Sequence, residues 1–424
     1  MADRYIDADR WPGLCAPVRS RFQTRRAREV TQRLEDLLGS HGIGVDPGQV
    51  PFFDVRDGQA LDRVTAAGWL GLAEGYMAGE WAAEPLPDVL AAIVDQPLQT
   101  RRSEVLGGLA SRRKRQEFGT PTPGELPEGL VELYAGVTRA TGGAVFASGA
   151  HTTETQVVRV GEDSYPVDVT WHGAPDPVER RDLDDAQRRR IELMLDDAGV
   201  RPGDRVLELP SSGGMLAIQA ARRGASVDVI TGDEEHAQAV VSRINAAGVA
   251  GGVRVEVIDA VVPSPRQWSG RYEAIFAVER VETMGDQGVR RYLRAVDRML
   301  TGQGRAVVQM LVLTEDAPEY ISETLDVMRA YVWPGLHYPT VAEVRETAVK
   351  YTGLRVGAQR HLGAHYRATV PLWRANFAAA GRQAAAAGFD AVFRRLWDYQ
   401  LALHEALVQR GFVDCVEFTF LPRE

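Results

Sequence analysis

The chain has 424 residues, of which 45% are hydrophobic and 25% are charged, a composition typical of a soluble globular protein with two domains. It contains no apolar run of the roughly 18 residues that cross a membrane, and its polar, acidic first residues predict no signal sequence. The formal net charge of −9 argues against a nucleic-acid-binding protein. With only two cysteines, Cys15 and Cys415, a disulfide framework and a cysteine-rich metal site are excluded, and a reducing cytoplasm is expected.

The first hundred residues carry helical patterns, which predict a small, mainly helical N-terminal domain over 1–102. A basic, Pro- and Gly-rich stretch follows and predicts a linker over 103–127. Its basic run 112–115, with the arginines of 19–28, is interpreted either as a solvated segment or as a peripheral contact with an anionic membrane. The remaining residues, 128–424, form the predicted larger domain.

Regular alternation of helices and strands marks the larger domain. Residues 143–171 alternate in strand fashion and predict a hairpin. Further strands are predicted at 205–209, 226–230, 253–258, 273–278, 305–311 and 413–421, and helices at 184–198, 214–223, 234–246, 287–300 and 386–410. This order predicts an α/β fold with a mostly parallel, doubly wound sheet.

Ligands of such sheets bind at the carboxyl ends of the strands, so the residues that follow each strand are candidates. The turn Glu208–Gly214 leads from a buried strand into a helix, where free backbone N–H groups meet a ligand. Later strand ends supply Thr231, Asp259 with Ala260, and Glu279. Each also has a structural interpretation, because the turn can be kept for packing, Asp259 can cap a turn, and Asp233 or Glu234 can cap a helix.

Several motifs resemble those of S-adenosylmethionine-dependent methyltransferases of the cyclopropane fatty acid synthase family. They cover most of the chain, with 103–180 the weakest part, and comprise Arg201–Glu208, Tyr272–Gly285, Tyr331–Gly335, Gly363–Tyr366 with Trp373, Trp397–Leu401 and, in the N-terminal domain, Gly71–Trp81. The resemblance implies a Rossmann-like class I methyltransferase sheet.

The resemblance implies a site for S-adenosylmethionine with an altered turn. The family's turn reads Gly-Cys-Gly-Trp-Gly-Gly, whereas Pro210, Ser211 and Ser212 take its first three places here. Proline has no N–H and serine adds a side chain, so weakened or changed cofactor binding is expected. The predicted cofactor-binding residues are Glu208, Ser211, Ser212, Gly213, Gly214, Thr231, Asp259, Ala260 and Glu279.

In the family, an alkene of a lipid acyl chain attacks the sulfonium methyl, and the resulting cation loses a proton to a bicarbonate held by a cysteine, a glutamate, a histidine and a tyrosine. Glu282 and Tyr366 match the glutamate and the tyrosine and are the predicted catalytic residues. The histidine after the glutamate is Thr283, and the bicarbonate-binding histidine falls near Met310.

The cysteine's place falls near Asp168, and neither cysteine of the chain is expected to supply it. An anion beside Glu282 and Asp168 would be repelled, so bicarbonate binding is not expected. Glu279 and Glu282 would share a face if helical, either as an acid–base pair or as a solvated surface paired with Arg280. No histidine spacing predicts a metal site.

Three functions are compatible with these motifs. The first is transfer of a methyl or methylene group from S-adenosylmethionine to an unsaturated acyl chain or similar apolar alkene, with a methyl-branched or methylene product. The second is a non-catalytic binding or regulatory relative that forms a homodimer or pairs with a homologue, and the third is a small-molecule methyltransferase of secondary metabolism. We expect a cytoplasmic protein, free or peripheral at the inner face of a bacterial membrane, with no nucleic-acid partner.

Overall fold

A computed structural model describes residues 6–15, 23–45, 50–98, 126–148 and 150–423. The chain divides into two compact units: Met1–Phe118 with Asp316–Pro334 and Phe377–Phe412, and Gly119–Glu315 with Gly335–Asn376 and Val413–Glu424. The region predicted as one domain over 128–424 therefore gives two segments to the first unit. Apart from its last two residues, the predicted linker 103–127 lies outside the described residues, as do its basic run and residues 19–22.

The first unit is mainly helical, as the sequence predicts. The helices Gln23–Ser40, Gln59–Met77 and Leu86–Ile93 surround an antiparallel pair of strands, β1 (Phe52–Val55) and β2 (Trp81–Glu84). The later segments add the helices Ile321–Thr324, Asp326–Tyr331, Gly381–Ala386 and Ala391–Gln409.

Buried polar contacts join these segments. Arg63 pairs with Glu80, at 2.9 Å between Nε and Oε2, and the Tyr331 hydroxyl donates to Glu74 at 2.8 Å. Since an unpaired buried charge is costly, the contact between Tyr331 and Glu74 favours the packing of 316–334 against the N-terminal helices.

The second unit is built on a nine-stranded sheet. Its strands are β3 (His151–Val160), β4 (Asp163–His172), β5 (Arg205–Glu208), β6 (Ser226–Thr231), β7 (Val253–Val257), β8 (Tyr272–Val278), β9 (Leu300–Leu313), β10 (Leu354–His361) and β11 (Val413–Pro422). They lie in the order β3-β4-β10-β11-β9-β8-β5-β6-β7. The five strands β5 to β9 pair in parallel, β11 lies antiparallel between β9 and β10, and the β3–β4 hairpin joins the sheet through β10.

The predicted α/β alternation is confirmed. The helices of this unit are Glu128–Tyr134, Leu183–Asp197, Met215–Arg222, Glu234–Ala246, Gly285–Met299, Val341–Tyr351 and Gly363–Ala379. Val206, Leu207 and Phe276 are fully buried because helices cover both faces of the central strands. This arrangement directs the carboxyl ends of β5 to β9 to one edge of the sheet.

The predicted hairpin over 143–171 forms, but it begins later than predicted. Residues 144–146 are buried without joining the sheet. The backbone N–H of Ala144 donates to Thr369 Oγ1 at 3.1 Å, that of Val145 to the Ala186 carbonyl at 3.2 Å, and that of Phe146 to His365 Nδ1 at 3.0 Å. The N–H groups of 144–146 thus bond to a helix carbonyl and to side chains instead of to a neighbouring strand. The apolar sequence of these three residues does not predict this arrangement.

Candidate functional site

The turn after β5 closes on itself through its own side chains. Glu208 is fully buried, and its Oε1 accepts from the N–H of Ser212 at 2.5 Å and from its hydroxyl at 2.7 Å. The Ser211 hydroxyl lies 3.0 Å from His236 Nε2. Both serine hydroxyls, which the sequence suggests for anion binding, therefore already have partners inside the protein.

The two glycines of this turn are required by its backbone. Gly213 and Gly214 have φ angles of +113° and +85°, which residues other than glycine rarely adopt. A Cβ at Gly213 would lie 2.8 Å from the Arg139 carbonyl oxygen, and one at Gly214 would lie 2.9 Å from Val240 Cγ1. The two glycines that remain from the family pattern are thus required for the packing of the turn, and they also leave its backbone open to a ligand.

One atom of the turn is suited to a cationic ligand. Glu208 Oε2 is buried, and among the described residues no donor meets hydrogen-bond geometry for it. Burial raises the pKa of Glu208, while the hydrogen bonds from Ser212, the charge of His236 and the nearby N–H of Ala217 oppose that rise. A ligand ammonium or N–H group would satisfy the oxygen, so the turn fits the amino group of an S-adenosylmethionine molecule.

The ends of β6 and β7 supply further polar groups. Thr231 is buried, and its Oγ1 accepts from the N–H of Asp233 at 3.1 Å. Asp233 caps the following helix by accepting from the N–H of His236 at 2.8 Å, which confirms its capping role. Asp259 is exposed beside Ala260 and is open to a ligand, so its predicted part in binding the cofactor stays a prediction.

A second group of side chains meets at the end of β8. Glu279 has a φ of +47°, which costs a non-glycine residue on the order of 1–3 kcal/mol and often marks a functional site. Its Oε1 accepts from the N–H of Gly143 at 2.6 Å and from Gln309 Nε2 at 2.7 Å, and it lies 3.6 Å from Cys415 Sγ. The strained conformation thus places a carboxylate among three donors.

Gly143 lies in the middle of this group. A Cβ added to it would stand 2.6 Å from Tyr366 Cδ2, 3.4 Å from Cys415 Sγ and 3.4 Å from Glu279 Oε1. Glu282 lies next to the group, with its Oε1 accepting from the N–H of Leu311 at 3.1 Å. We call Gly143, Glu279, Glu282, Gln309, Tyr366 and Cys415 the Glu279 cluster.

Burial determines the protonation of this cluster. It raises the pKa of Glu282 to about 8, and the negative charge of Glu279 adds to the rise. The pKa values of Cys415 and Tyr366 are raised well above their ordinary values, first by burial and then by Glu279. At neutral pH the thiol, the phenol and most of Glu282 therefore carry their protons.

Three sequence-based expectations about this region are wrong. Cys415 does reach the site, because β11 runs antiparallel to β9 and places Cys415 opposite Leu311. Asp168 is exposed on β4, four strands or roughly 19 Å from β8 at about 4.8 Å per strand, and accepts from Thr155. Glu282 and Arg280 are buried, so they form no solvated pair.

The two positions that match histidines of the family carry a threonine and a methionine. The Thr283 hydroxyl donates to the Arg280 carbonyl at 2.6 Å, and Met310 is buried on β9. His361 and His365 lie on different elements with different partners, Asp414 and the N–H of Phe146. Within the described part of the chain, there is no group of three or more residues suited to holding a metal.

No described helix is long and apolar enough to span a membrane.

Aromatic side chains line the region beside Tyr366. Trp373 makes edge contacts with Tyr366 and Tyr134, at ring-centroid distances of 6.0 and 5.8 Å. Such rings favour apolar chains and stabilise positive charge nearby.

Comparison with known proteins agrees with this geometry. The model of the mycolic acid cyclopropane synthetase family matches residues 171–418. The tuberculostearic acid methyltransferase UfaA1 of Mycobacterium tuberculosis is 28% identical over 430 residues, which cover 98% of this chain and 96% of that protein. Sphingolipid C9-methyltransferase A of Emericella nidulans is 26% identical over 242 residues, covering 56% of this chain and 46% of that protein.

Solved structures show the same fold. The mycolic acid cyclopropane synthase CmaA1, complexed with SAH and CTAB, has a TM-score of 0.56 and 20% identity, covering 69% of this chain and 94% of that one. The cyclopropane synthase MmaA2 from Mycobacterium tuberculosis also has a TM-score of 0.56, with 18% identity over 70% of this chain and 94% of that one. The predicted class I methyltransferase sheet is therefore confirmed.

Proposed function

The chain belongs to the mycolic acid cyclopropane synthetase family, and from this premise we propose that it transfers a one-carbon unit from S-adenosylmethionine to the double bond of an unsaturated lipid acyl chain. The near full-length similarity to a tuberculostearic acid methyltransferase supports an acyl chain as substrate. The observation that carries the proposal is the Glu279 cluster at the sheet edge where α/β proteins bind ligands.

Different residues would bind the cofactor and act on the acyl chain. Glu208, Thr231 and Asp259 would hold the cofactor, since their oxygens suit its amino and hydroxyl groups. When bound, S-adenosylmethionine supplies an electrophilic methyl group, so that an alkene carbon gains a carbon–carbon bond, the methyl–sulfur bond breaks and the adjacent chain carbon becomes cationic.

The chain's own residues would then shield that cation from water and promote its loss of a proton. Tyr366 and Trp373 offer aromatic faces, which attract positive charge and exclude water. The Glu279 carboxylate would stabilise the positive charge, and proton removal would occur within the Glu279 cluster. Because Thr283 and Met310 replace the histidines of the family pattern, we propose a methyl-branched or methylene product rather than a cyclopropane.

The test uses the purified full chain, S-adenosylmethionine carrying a trideuterated methyl group, and dioleoyl phosphatidylglycerol vesicles. We expect deuterium in the acyl chains by mass spectrometry and, in a parallel reaction with unlabelled S-adenosylmethionine, olefinic methylene or branched-methyl signals by proton NMR. Authentic ring product would contradict the proposed product, and unlabelled chains would contradict the proposed activity. Dioleoyl phosphatidylcholine vesicles serve as the neutral control, and weaker labelling there would support contact with an anionic membrane.

A non-catalytic role is the second candidate. It is favoured by the turn after β5, because Ser211 and Ser212 direct their hydroxyls to partners within the protein. Calorimetric titration separates the two candidates. Micromolar binding of S-adenosylmethionine supports the enzyme, whereas no binding under conditions where the protein is folded supports a binding or regulatory protein.

A further inference from the structure

Glu279 differs from an ordinary surface carboxylate in its backbone and in its partners. It directly follows β8, with the left-handed φ of +47° that surrounding structure must enforce. Its Oε1 receives donors from three separate segments: the N–H of Gly143, the amide of Gln309 and the thiol of Cys415. Tight hydrogen bonding from several donors stabilises the ionised form of a carboxylate.

The neighbouring groups add no second negative charge at neutral pH. Burial and the charge of Glu279 raise the pKa of Glu282 to about 8, and they raise the pKa values of Tyr366 and Cys415 far more. All three neighbours are therefore mainly neutral at neutral pH.

The donors around Glu279 are also unavailable to a free anion. Gln309 Nε2 is shared between Glu279 and the Gly143 carbonyl, at 2.7 and 3.2 Å. A bicarbonate seeking these donors would have to displace a tethered carboxylate that already occupies their acceptor position. Its own negative charge would then lie against the carboxylate of Glu279, which disfavours binding of the anion.

We propose that Glu279 is the proton acceptor of the reaction and that the enzyme works without bicarbonate. This inference rests on the proposed function. The alkylated chain loses a proton from a carbon next to the cationic centre, and the electron pair of the broken C–H bond forms a new carbon–carbon double bond. Proton loss from the methylated carbon gives a methyl-branched alkene. A hydride shift from the methylated carbon to the cationic carbon, followed by proton loss from the transferred methyl group, gives the methylene product. The carboxylate of Glu279 becomes a carboxylic acid and then releases the proton to solvent. Gln309 and Cys415 act as positioning residues that hold the carboxylate in place.

Two substitutions test the proposal. Glu279→Gln keeps the shape of the side chain but removes its basicity, so turnover should fall by about 100-fold or more, and added bicarbonate should not restore it. Glu279→Ala vacates the acceptor position, so bicarbonate should restore part of its activity. The exposed Glu162→Gln is the matched control and should leave turnover unchanged. Thermal unfolding of each variant shows that it is folded.

A binding measurement gives a readout independent of activity. Carbon-13 NMR with labelled bicarbonate should show no bound signal for the wild-type protein and a bound signal for Glu279→Ala. Wild-type turnover should be equal in bicarbonate-free and bicarbonate-containing buffer. A bound signal in the wild type, a need for bicarbonate, or full activity of Glu279→Gln would overturn the inference. If the proposed function is wrong, the wild type will give no acyl product in either buffer. The NMR result would still decide whether the Glu279 carboxylate occupies the anion position.

Discussion

The turn after β5 and the Glu279 cluster lie at the ends of neighbouring strands but are built in opposite ways. The turn is local, since Ser212 bonds to Glu208 four residues earlier. The cluster joins five distant parts of the chain, with 136 positions separating Gly143 from Glu279 and Glu279 from Cys415. The turn has exchanged open glycines for internally bonded serines, and Thr283 and Met310 replace the two histidines of the family pattern beside the cluster. We infer that both cofactor binding and the chemistry of the acyl chain have changed.

The largest effect is expected from filling the centre of the cluster. In Gly143→Ala, the new Cβ would lie 2.6 Å from Tyr366 Cδ2, so Tyr366 or the Glu279 carboxylate must move. Because a displacement of about 1 Å can reduce catalysis about 100-fold, we expect a loss of that size in turnover. Gly129→Ala is the control, since no atom lies within 4 Å of its new Cβ. Equal activities for the two variants would show that the cluster is not the reaction centre.

The next effect concerns the turn alone. Glu208→Gln keeps the acceptor for Ser212 but removes the charge beside the unpartnered Oε2. A charge-assisted hydrogen bond contributes about 1.5–3 kcal/mol, so affinity for S-adenosylmethionine should fall roughly 10- to 100-fold by calorimetry. Turnover at saturating cofactor should change much less. A variant that binds normally would exclude Glu208 from the cofactor site.

Glu282 predicts a pH-dependent stability. Its pKa is raised from 4.5 to about 8 by burial and by Glu279, so the folded protein holds this proton more tightly than the unfolded chain. Its contribution to stability is present at low pH and is lost as pH rises from about 4.5 to 8. Glu282→Gln should therefore gain stability over the wild type progressively across this window, reaching about 5 kcal/mol by its upper end at about 1.4 kcal/mol per pKa unit. Urea unfolding at several pH values measures the gain, and a constant difference would refute the raised pKa.

The smallest effect is expected at Cys415, because a thiol is a weak donor. Cys415→Ala should lower turnover about threefold to tenfold, and Cys415→Ser should retain activity because its hydroxyl still donates to Glu279. The exposed Cys15→Ala is the control. In the folded protein a thiol reagent should modify Cys15 and spare the buried Cys415, whose pKa is raised by burial. Rapid reaction of both cysteines would contradict the described burial.

The sequence predicts the local features of this protein well. The helix predicted at 234–246 is observed as Glu234–Ala246, and the predicted strand 205–209 as Arg205–Glu208. Hydrophobic periodicity and a capping Asp233 are sufficient for this, since both act within a few residues. Glu208, Glu282 and Tyr366 could likewise be selected from their motifs.

The cluster itself could not be predicted in this way. Cys415 enters it only because β11 is inserted between β9 and β10, and Gly143 only because 144–146 bond to helices instead of strands. Both depend on pairing between residues far apart in sequence, which no local pattern records. The division of the two units at 316–334 and 377–412 has the same cause.

The most direct test of the division between the turn and the cluster is to measure cofactor binding and single-turnover acyl modification on one preparation of Glu279→Gln. We predict an affinity for S-adenosylmethionine within about tenfold of wild type, together with a rate of methyl transfer and proton loss reduced by about 100-fold or more. A variant that binds the cofactor poorly but modifies the acyl chain at the wild-type rate once saturated would contradict the account, because Glu279 would then belong to the cofactor site and not to the chemistry.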